Sequence, residues 1–268
     1  MRETKFGCKP AWKGRFIPSL MPHSSYDDVA GMYHALWADW YLPAAMPALE
    51  RLFFSQVSPG AHVLDLCCGS GHVTRELIAR GYIVTGIDNS SELIALARQE
   101  FPKADFRVQD ARALALDQKY QAVLSTFDSL NHILTFDQLR GVFNGVRGVL
   151  DTGGLFVFDM NLEEAYSADL REWAVNLQEK SVGLVRGTFD PVLKKASTEL
   201  IWFTRGDDPA CWRQHRSVVE QQCYKQSDIL AALADSGFHS VEAVRAAEAG
   251  VTSELGFGRT YFASRLPN

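Results

Sequence analysis

Between residues 61 and 161, short apolar runs alternate with helical segments, and this alternation restricts the fold more than any other feature. Residues 61–66, 82–87, 104–109, 122–126 and 155–160 are apolar, β-branched-rich runs of strand length. Residues 72–80, about 90–100 and 136–150 carry helical spacing. Gly81 is placed to cap the first of these helices, and Ser90 or Ser91 to open the second. Strands separated by helices of this length require right-handed crossovers and a parallel sheet. The order predicts a doubly wound α/β fold.

The flanks read differently. The first twenty residues form an irregular Gly-, Pro- and Lys-containing arm without the apolar core of a signal peptide. From Tyr26 to Val57 the pattern is helical, with Met32, Tyr33, Leu36, Trp37, Trp40 and Tyr41 at three- and four-residue spacing. Pro43 and Pro47 are expected to break or restart helices there, and Trp37 and Trp40 to be core. After Asn161, residues 181–189, 196–205 and 212–223 predict an antiparallel meander with a turn at Gly206–Pro209. It is expected to fold over the open edge of the main sheet. A helix at 227–236 and strands near 240–246 and 260–264 close the chain. The expected organisation is an arm and helical cover over residues 1–57, then a main domain over 58–268 with a β insertion at about 178–225.

Composition narrows the function. Of 268 residues, 47% are hydrophobic and 22% charged, enough to bury a core without metal or disulfide support. The net charge of −5 offers no basic excess, which disfavours a nucleic-acid partner. Five cysteines and no C-x-x-C pair argue against a disulfide framework and a cysteine zinc site, and favour a cytoplasmic setting. No run approaches the roughly 18 apolar residues of a membrane span.

The stretch Val63-Leu64-Asp65-Leu66-Cys67-Cys68-Gly69-Ser70-Gly71-His72 runs from strand through a glycine turn into a helix. Such a turn lets a ligand approach the backbone and leaves helix N–H groups for a carboxylate. Asp88, about twenty residues further on, ends the second strand at the spacing where a carboxylate meets ribose hydroxyls. A helix cap is its alternative role. Asp110, followed by Ala111, ends the third strand, and is placed for an exocyclic amine such as that of adenine. The polar run Ser125-Thr126-Phe127-Asp128-Ser129-Leu130-Asn131-His132 follows the fourth strand, where a transferred group should lie.

These segments resemble the successive motifs of class I (Rossmann-like) S-adenosylmethionine-dependent methyltransferases, over about residues 61–161. The resemblance implies a mostly parallel seven-stranded sheet with a C-terminal antiparallel hairpin. It implies that Asp65, Gly69 and Gly71 surround the methionine part, that Asp88 takes the ribose, and that Asp110 and Ala111 frame the adenine. Cys67, His72, Asn89, Thr126 and Phe127 complete the expected cofactor set, with Tyr26 and Tyr33 closing over it. One departure stands out: Cys67 occupies the place of the first glycine in the family's D-x-G-x-G-x-G loop. The helical cover and the β insertion are most similar to those of small-molecule members.

The expected reaction is methyl transfer to a nitrogen or oxygen of a small molecule, releasing S-adenosylhomocysteine. Asn131 and His132 are the candidate catalytic residues, placed to line the acceptor site. His132 reads either as a base or as a structural or helix-capping residue, the latter being the simpler reading. Cys67 and Cys68 are expected to be buried small residues, not nucleophiles. His215, Glu220 and Tyr224 lie on the insertion, where surface exposure is the simpler expectation. No metal is expected. The alternatives are an RNA or protein methyltransferase, a nicotinamide oxidoreductase and a non-catalytic cofactor-binding protein. The first lacks an N/D-P-P-Y/F tetrapeptide after the fourth strand, and the second lacks G-x-G-x-x-G. Monomer and homodimer are both open.

Overall fold

The computed structural model describes residues 24–166, 172–206, 208, 211–252 and 254–268. The expected arm at residues 1–20 lies outside them, as do Asp207 and Pro209 of the expected turn.

A short 3-10 turn, Asp27–Val29, leads into α1 (Ala30–Leu36) and α2 (Ala38–Leu49). Pro43 and Pro47 sit inside α2, against the expectation that they would break helices. The break falls earlier, at Trp37. Burial explains the tolerance: Tyr41, Leu42, Ala45, Ala48 and Leu49 pack into the core, and that packing outweighs the propensity cost of proline. A π-helical turn, Glu50–Phe54, follows Pro47.

The next elements are β1 (His62–Leu66), α3 (His72–Ala79), β2 (Ile83–Asp88), α4 (Ser91–Glu100) and β3 (Asp105–Val108). Then come β4 (Tyr120–Ser125), α5 (Phe136–Val149) and β5 (Leu150–Asn161). Ser90 caps α4 by accepting the Leu93 N–H at 3.1 Å. β5 begins five residues earlier than its apolar run. Tyr120 pairs with Leu150 and Ala122 with Leu155, so the expected turn at 151–154 is an irregularity inside the pairing.

The insertion is a four-stranded antiparallel sheet of β6 (Ala174–Gln178), β7 (Ser181–Asp190), β8 (Lys195–Arg205) and β9 (Trp212–Gln222). β6 was not legible beforehand. α6 (Gln226–Asp235), β10 (His239–Arg245) and β11 (Arg259–Arg265) complete the chain. The main sheet has seven strands in the order β10-β11-β5-β4-β1-β2-β3. All neighbours pair parallel except β11, which is antiparallel to both β5 and β10.

Helices cover both faces. α2 and α3 bury one face through Leu49, Val73 and Leu77 against Val63 and Val157. α5 and α6 bury the other. α5 alone puts Leu139, Val142, Phe143, Val146 and Val149 inside, each contributing about 1.5–3 kcal/mol. The insertion packs chiefly against the N-terminal helices, not along a sheet edge. Leu200, Trp202 and Val219 form a separate cluster with Val29 and Met32. β9 also meets the segment after β4, so the insertion roofs the carboxyl ends of the parallel strands. The packing is apolar: Val29 and Met32 are buried against these insertion residues.

No helix among the described residues is long and apolar enough to cross a membrane. Among the described residues Cys67, Cys68 and Cys223 are free thiols.

Candidate active site

The turn after β1 takes three left-handed residues: Cys67 at φ +62°, Gly69 at φ +54° and Gly71 at φ +87°. Cysteine therefore stands in a conformation that glycine adopts freely and an L side chain resists. At Gly69 even a Cβ would come within 3.0 Å of the Tyr33 ring, so this position needs glycine on two counts. Gly71 opens α3 as its N-cap.

Three acids stand at the ends of three neighbouring strands. Asp65 is buried and accepts a 2.6 Å hydrogen bond from the Thr74 hydroxyl. Burial pushes its carboxyl up to about 7 against that bond. Asp88 accepts the Gly69 N–H and the Ser90 N–H, both at 2.9 Å. Burial nevertheless pushes it up to about 6. Asp110 takes both oxygens to the Arg112 guanidinium, which holds it below the usual carboxylate range. Two oxygens with second lone pairs remain on Asp88 for hydroxyl donors.

Asp88 and Asp110 border a cavity of about 1070 Å³. Gly69, Asp88, Asn89, Asp110 and Ala111 line one end, and Tyr26, Tyr33, Cys67, Phe127 and His132 the middle. Asp65, His72 and Thr126 line a small adjoining hollow that shares Tyr33, Cys67 and Phe127 with the main cavity. The structure thus brings together all of the expected cofactor residues except Gly71, which shapes the turn from behind. Both Cys67 and Cys68 thiols are pushed up by burial and by the nearby acids, as inert thiols are.

The two candidate catalytic residues separate. Asn131 is fully buried and does not reach the cavity. Its amide donates to the Asn161 and Gln222 carbonyls, and its oxygen accepts the Asn161 N–H, so it splices β5 to β9. His132 lines the cavity. Its Nδ1 lies 2.8 Å from the Glu220 carbonyl, and its Nε2 lies 3.1 Å from the Tyr26 hydroxyl. A carbonyl can only accept, so Nδ1 carries the proton and Nε2 holds a lone pair. Burial lowers the ring's pKa, which keeps it neutral.

Behind His132 lies a charged network that the sequence reading missed. Phe127 and Asp128 both adopt left-handed conformations, at φ +61° and +47°. Their N–H groups donate to Asp159 at 2.7 and 3.0 Å, and the Tyr41 hydroxyl donates to the same carboxylate. Arg259 bridges Asp159 and Asp128, with 2.6 Å to the latter. Gln221 of β9 donates to Asp128. A signal existed: Asp159 interrupts the apolar run Leu155-Phe156-Val157-Phe158-Asp159-Met160, where an unpaired acid would be very costly.

Other expectations shift. Trp40 is 49% exposed and lines the cavity, so it is not a core residue, whereas half-buried Trp37 lines the cavity and also packs against the cluster of Val29 and Met32. Glu220 also lines it, while His215 is exposed. Tyr224 is buried and donates to the Ile133 carbonyl.

The comparisons with known proteins agree with this geometry. Residues 63–154 match the methyltransferase domain family model. YqeM of Bacillus subtilis (strain 168) is 32% identical over 146 residues, 53% of this chain and 51% of its own. The match thus spans about half the length of YqeM, whereas a putative methyltransferase of Geobacillus sp. (strain WCH70) is 24% identical over 81% of this chain and 90% of its own. An S-adenosylmethionine-dependent methyltransferase from Clostridium acetobutylicum ATCC 824 superposes with a TM-score of 0.74 at 22% identity, over 91% of this chain and 100% of that one. The sugar N-methyltransferase KedS8 from Streptoalloteichus sp ATCC 53650 does so at 0.73 and 17%, over 97% and 100%. The cavity lies where a doubly wound sheet binds its ligands, and sheet order, domain match and structural neighbours agree: the chain has the class I, Rossmann-like methyltransferase fold, and residues 63–154 of it match the methyltransferase domain model.

Proposed function

We propose that this chain binds S-adenosylmethionine across the ends of β1, β2 and β3 and methylates a nitrogen or oxygen of a small molecule. The observation that carries the reading is the meeting of Asp88, Asp110 and the open backbone at Gly69 around one cavity. The residues fit the cofactor. Asp88 offers acceptor lone pairs to ribose hydroxyls, Asp110 and Ala111 border the adenine end, and Gly69 leaves room that a Cβ would fill. Asp65 faces the hollow where the methionine ammonium belongs, and an arriving cation would favour its ionised form.

The cofactor, when bound, supplies an activated methyl on sulfonium. The protein has then to hold the acceptor in line and remove its proton. His132 is placed for the second task through Nε2, once an acceptor group replaces the Tyr26 hydroxyl and the Gln221 amide there. Enclosure supports a small acceptor: the cavity is at the upper end of the usual range of roughly 300–1,000 Å³ and is roofed by β9. The sugar N-methyltransferase among the structural neighbours is consistent with an amine.

Mass spectrometry of co-purified ligand, followed by an acceptor screen for S-adenosylhomocysteine release, tests the reading. Asp88→Ala should weaken calorimetrically measured cofactor binding by roughly 30- to 150-fold, two to three kilocalories' worth of charge-assisted hydrogen bonding. Undiminished affinity removes Asp88 from the site, and competition by NADH sinks the assignment.

A further inference from the structure

A second cluster of ligating side chains lies beside the cavity; of its members only His72 also borders the hollow described above. His34 belongs to α1, His72 is the first residue of α3, and Glu100 is the last of α4. One ligand atom from each lies within 4.8 Å of the other two. The two imidazoles are 5.1 Å apart, and His34 Nε2 is 3.5 Å from the Glu100 carboxylate. That spacing exceeds a good hydrogen bond. Meanwhile His34 Nδ1 is buried without a hydrogen-bond partner. The His72 ring is held from behind, with Nδ1 3.2 Å from the Ser70 hydroxyl.

Two imidazoles and a carboxylate are a ligand set that divalent zinc takes in three-ligand sites with one position left open. Ligand distances of about 2.0–2.2 Å put tetrahedral donor atoms roughly 3.4 Å apart. Rotations of the half-exposed His34 and Glu100 side chains are enough to close the remaining gap. A hydrogen bond on the far nitrogen of His72 is the kind of support that orients a metal-binding imidazole.

We propose that His34, His72 and Glu100 form a site for one divalent transition metal of the zinc type, which clamps the helical cover to the glycine turn. The consequence is local. Tyr33, beside His34, lies over Gly69, and His72 directly follows Gly71. A metal here holds shut the cover over the cofactor end of the cavity. This proposal does not depend on the methyl-transfer reading.

Cobalt is the probe, because its visible bands report tetrahedral nitrogen and oxygen ligation. The full chain, stripped with chelator, should bind one Co²⁺ and develop those bands, and Zn²⁺ should abolish them. His34→Ala and Glu100→Gln should each weaken binding by at least about tenfold. Zn²⁺ should raise the melting temperature of the native chain and not that of the variants. A featureless cobalt titration, or equal affinity in both variants, overturns the site. Should His34→Ala fail to fold, Glu100→Gln decides alone, since its carboxylate makes no other contact that the argument uses.

Discussion

His132 Nδ1 sits 2.8 Å from the carbonyl of Glu220, and this single contact settles what both nitrogens of the ring can do. The proton is fixed on the roof side, and the lone pair is aimed into the cavity. An insertion strand therefore sets the protonation pattern of a residue that follows β4.

His132→Gln should lower kcat for methyl transfer by about 10²- to 10⁴-fold while leaving cofactor affinity within a few-fold. Burial lowers the native ring's pKa below its ordinary 6.5, and only the neutral ring accepts a proton. The native rate should then fall as pH drops below that lowered value. The variant should lose this acid limb. An unchanged pH–rate profile would remove His132 as the base.

Asp65 makes a prediction about the ligand-free protein. Its folded carboxyl titrates near 7 and its unfolded one near 3.8. Between those values the folded chain holds the extra proton. Stability is thus fully present below pH 3.8 and is lost as pH rises through 7. Asp65→Asn should remove this loss and gain on the order of a few kcal/mol at pH 8, shrinking towards pH 4. Chemical denaturation at pH 5 and pH 8 measures the difference, and a constant gap between the two proteins would refute the burial argument.

Cys67 holds a left-handed backbone at +62°. Replacing it with alanine keeps the Cβ strain, and replacing it with glycine removes it. Cys67→Gly should be more stable than Cys67→Ala by about 1 kcal/mol, after the extra chain entropy of glycine is subtracted. Equal melting temperatures would mean that the turn relaxes around alanine.

Arg259 is the sole cation bonded to both Asp128 and Asp159 among the described residues. Arg259→Met should destabilise the protein by about 3–5 kcal/mol, because two buried carboxylates lose their partner. The double variant Arg259→Met, Asp159→Asn should recover part of that loss. Urea titrations of the two variants make the comparison, and no recovery would show that the two charges do not couple.

The sheet and the strand ends that border the cavity were legible because each depends on local pattern. Strand periodicity placed β1 to β5 within a few residues, and glycine plus acid spacing found Gly69, Asp88 and Asp110. The rest depends on contacts between distant segments. Nothing near Asn131 reveals that its amide is used by β5 and β9, so it read as catalytic when it is a splice. Pro43 and Pro47 read as breaks because propensity is local and the burial that overrides it is not. The roof over the cavity reads in the sequence as an edge cover, since the alternation of β7 to β9 names a buried face without naming what it faces. Trp40 carries no mark in its own segment that it borders a cavity rather than a core.

The bridge from Arg259 to Asp128 spans 131 positions of chain. Newly made protein emerging from the ribosome would complete β1 to β4 and the cofactor end well before β9 and β11 arrive. During that interval the His132 ring has no Glu220 carbonyl to orient it, and the Asp128 carboxylate has no guanidinium. On the proposed reading, the binding end forms before the groups that orient the base, so the two halves of the task are assembled in sequence, the second only when the closing hairpin docks.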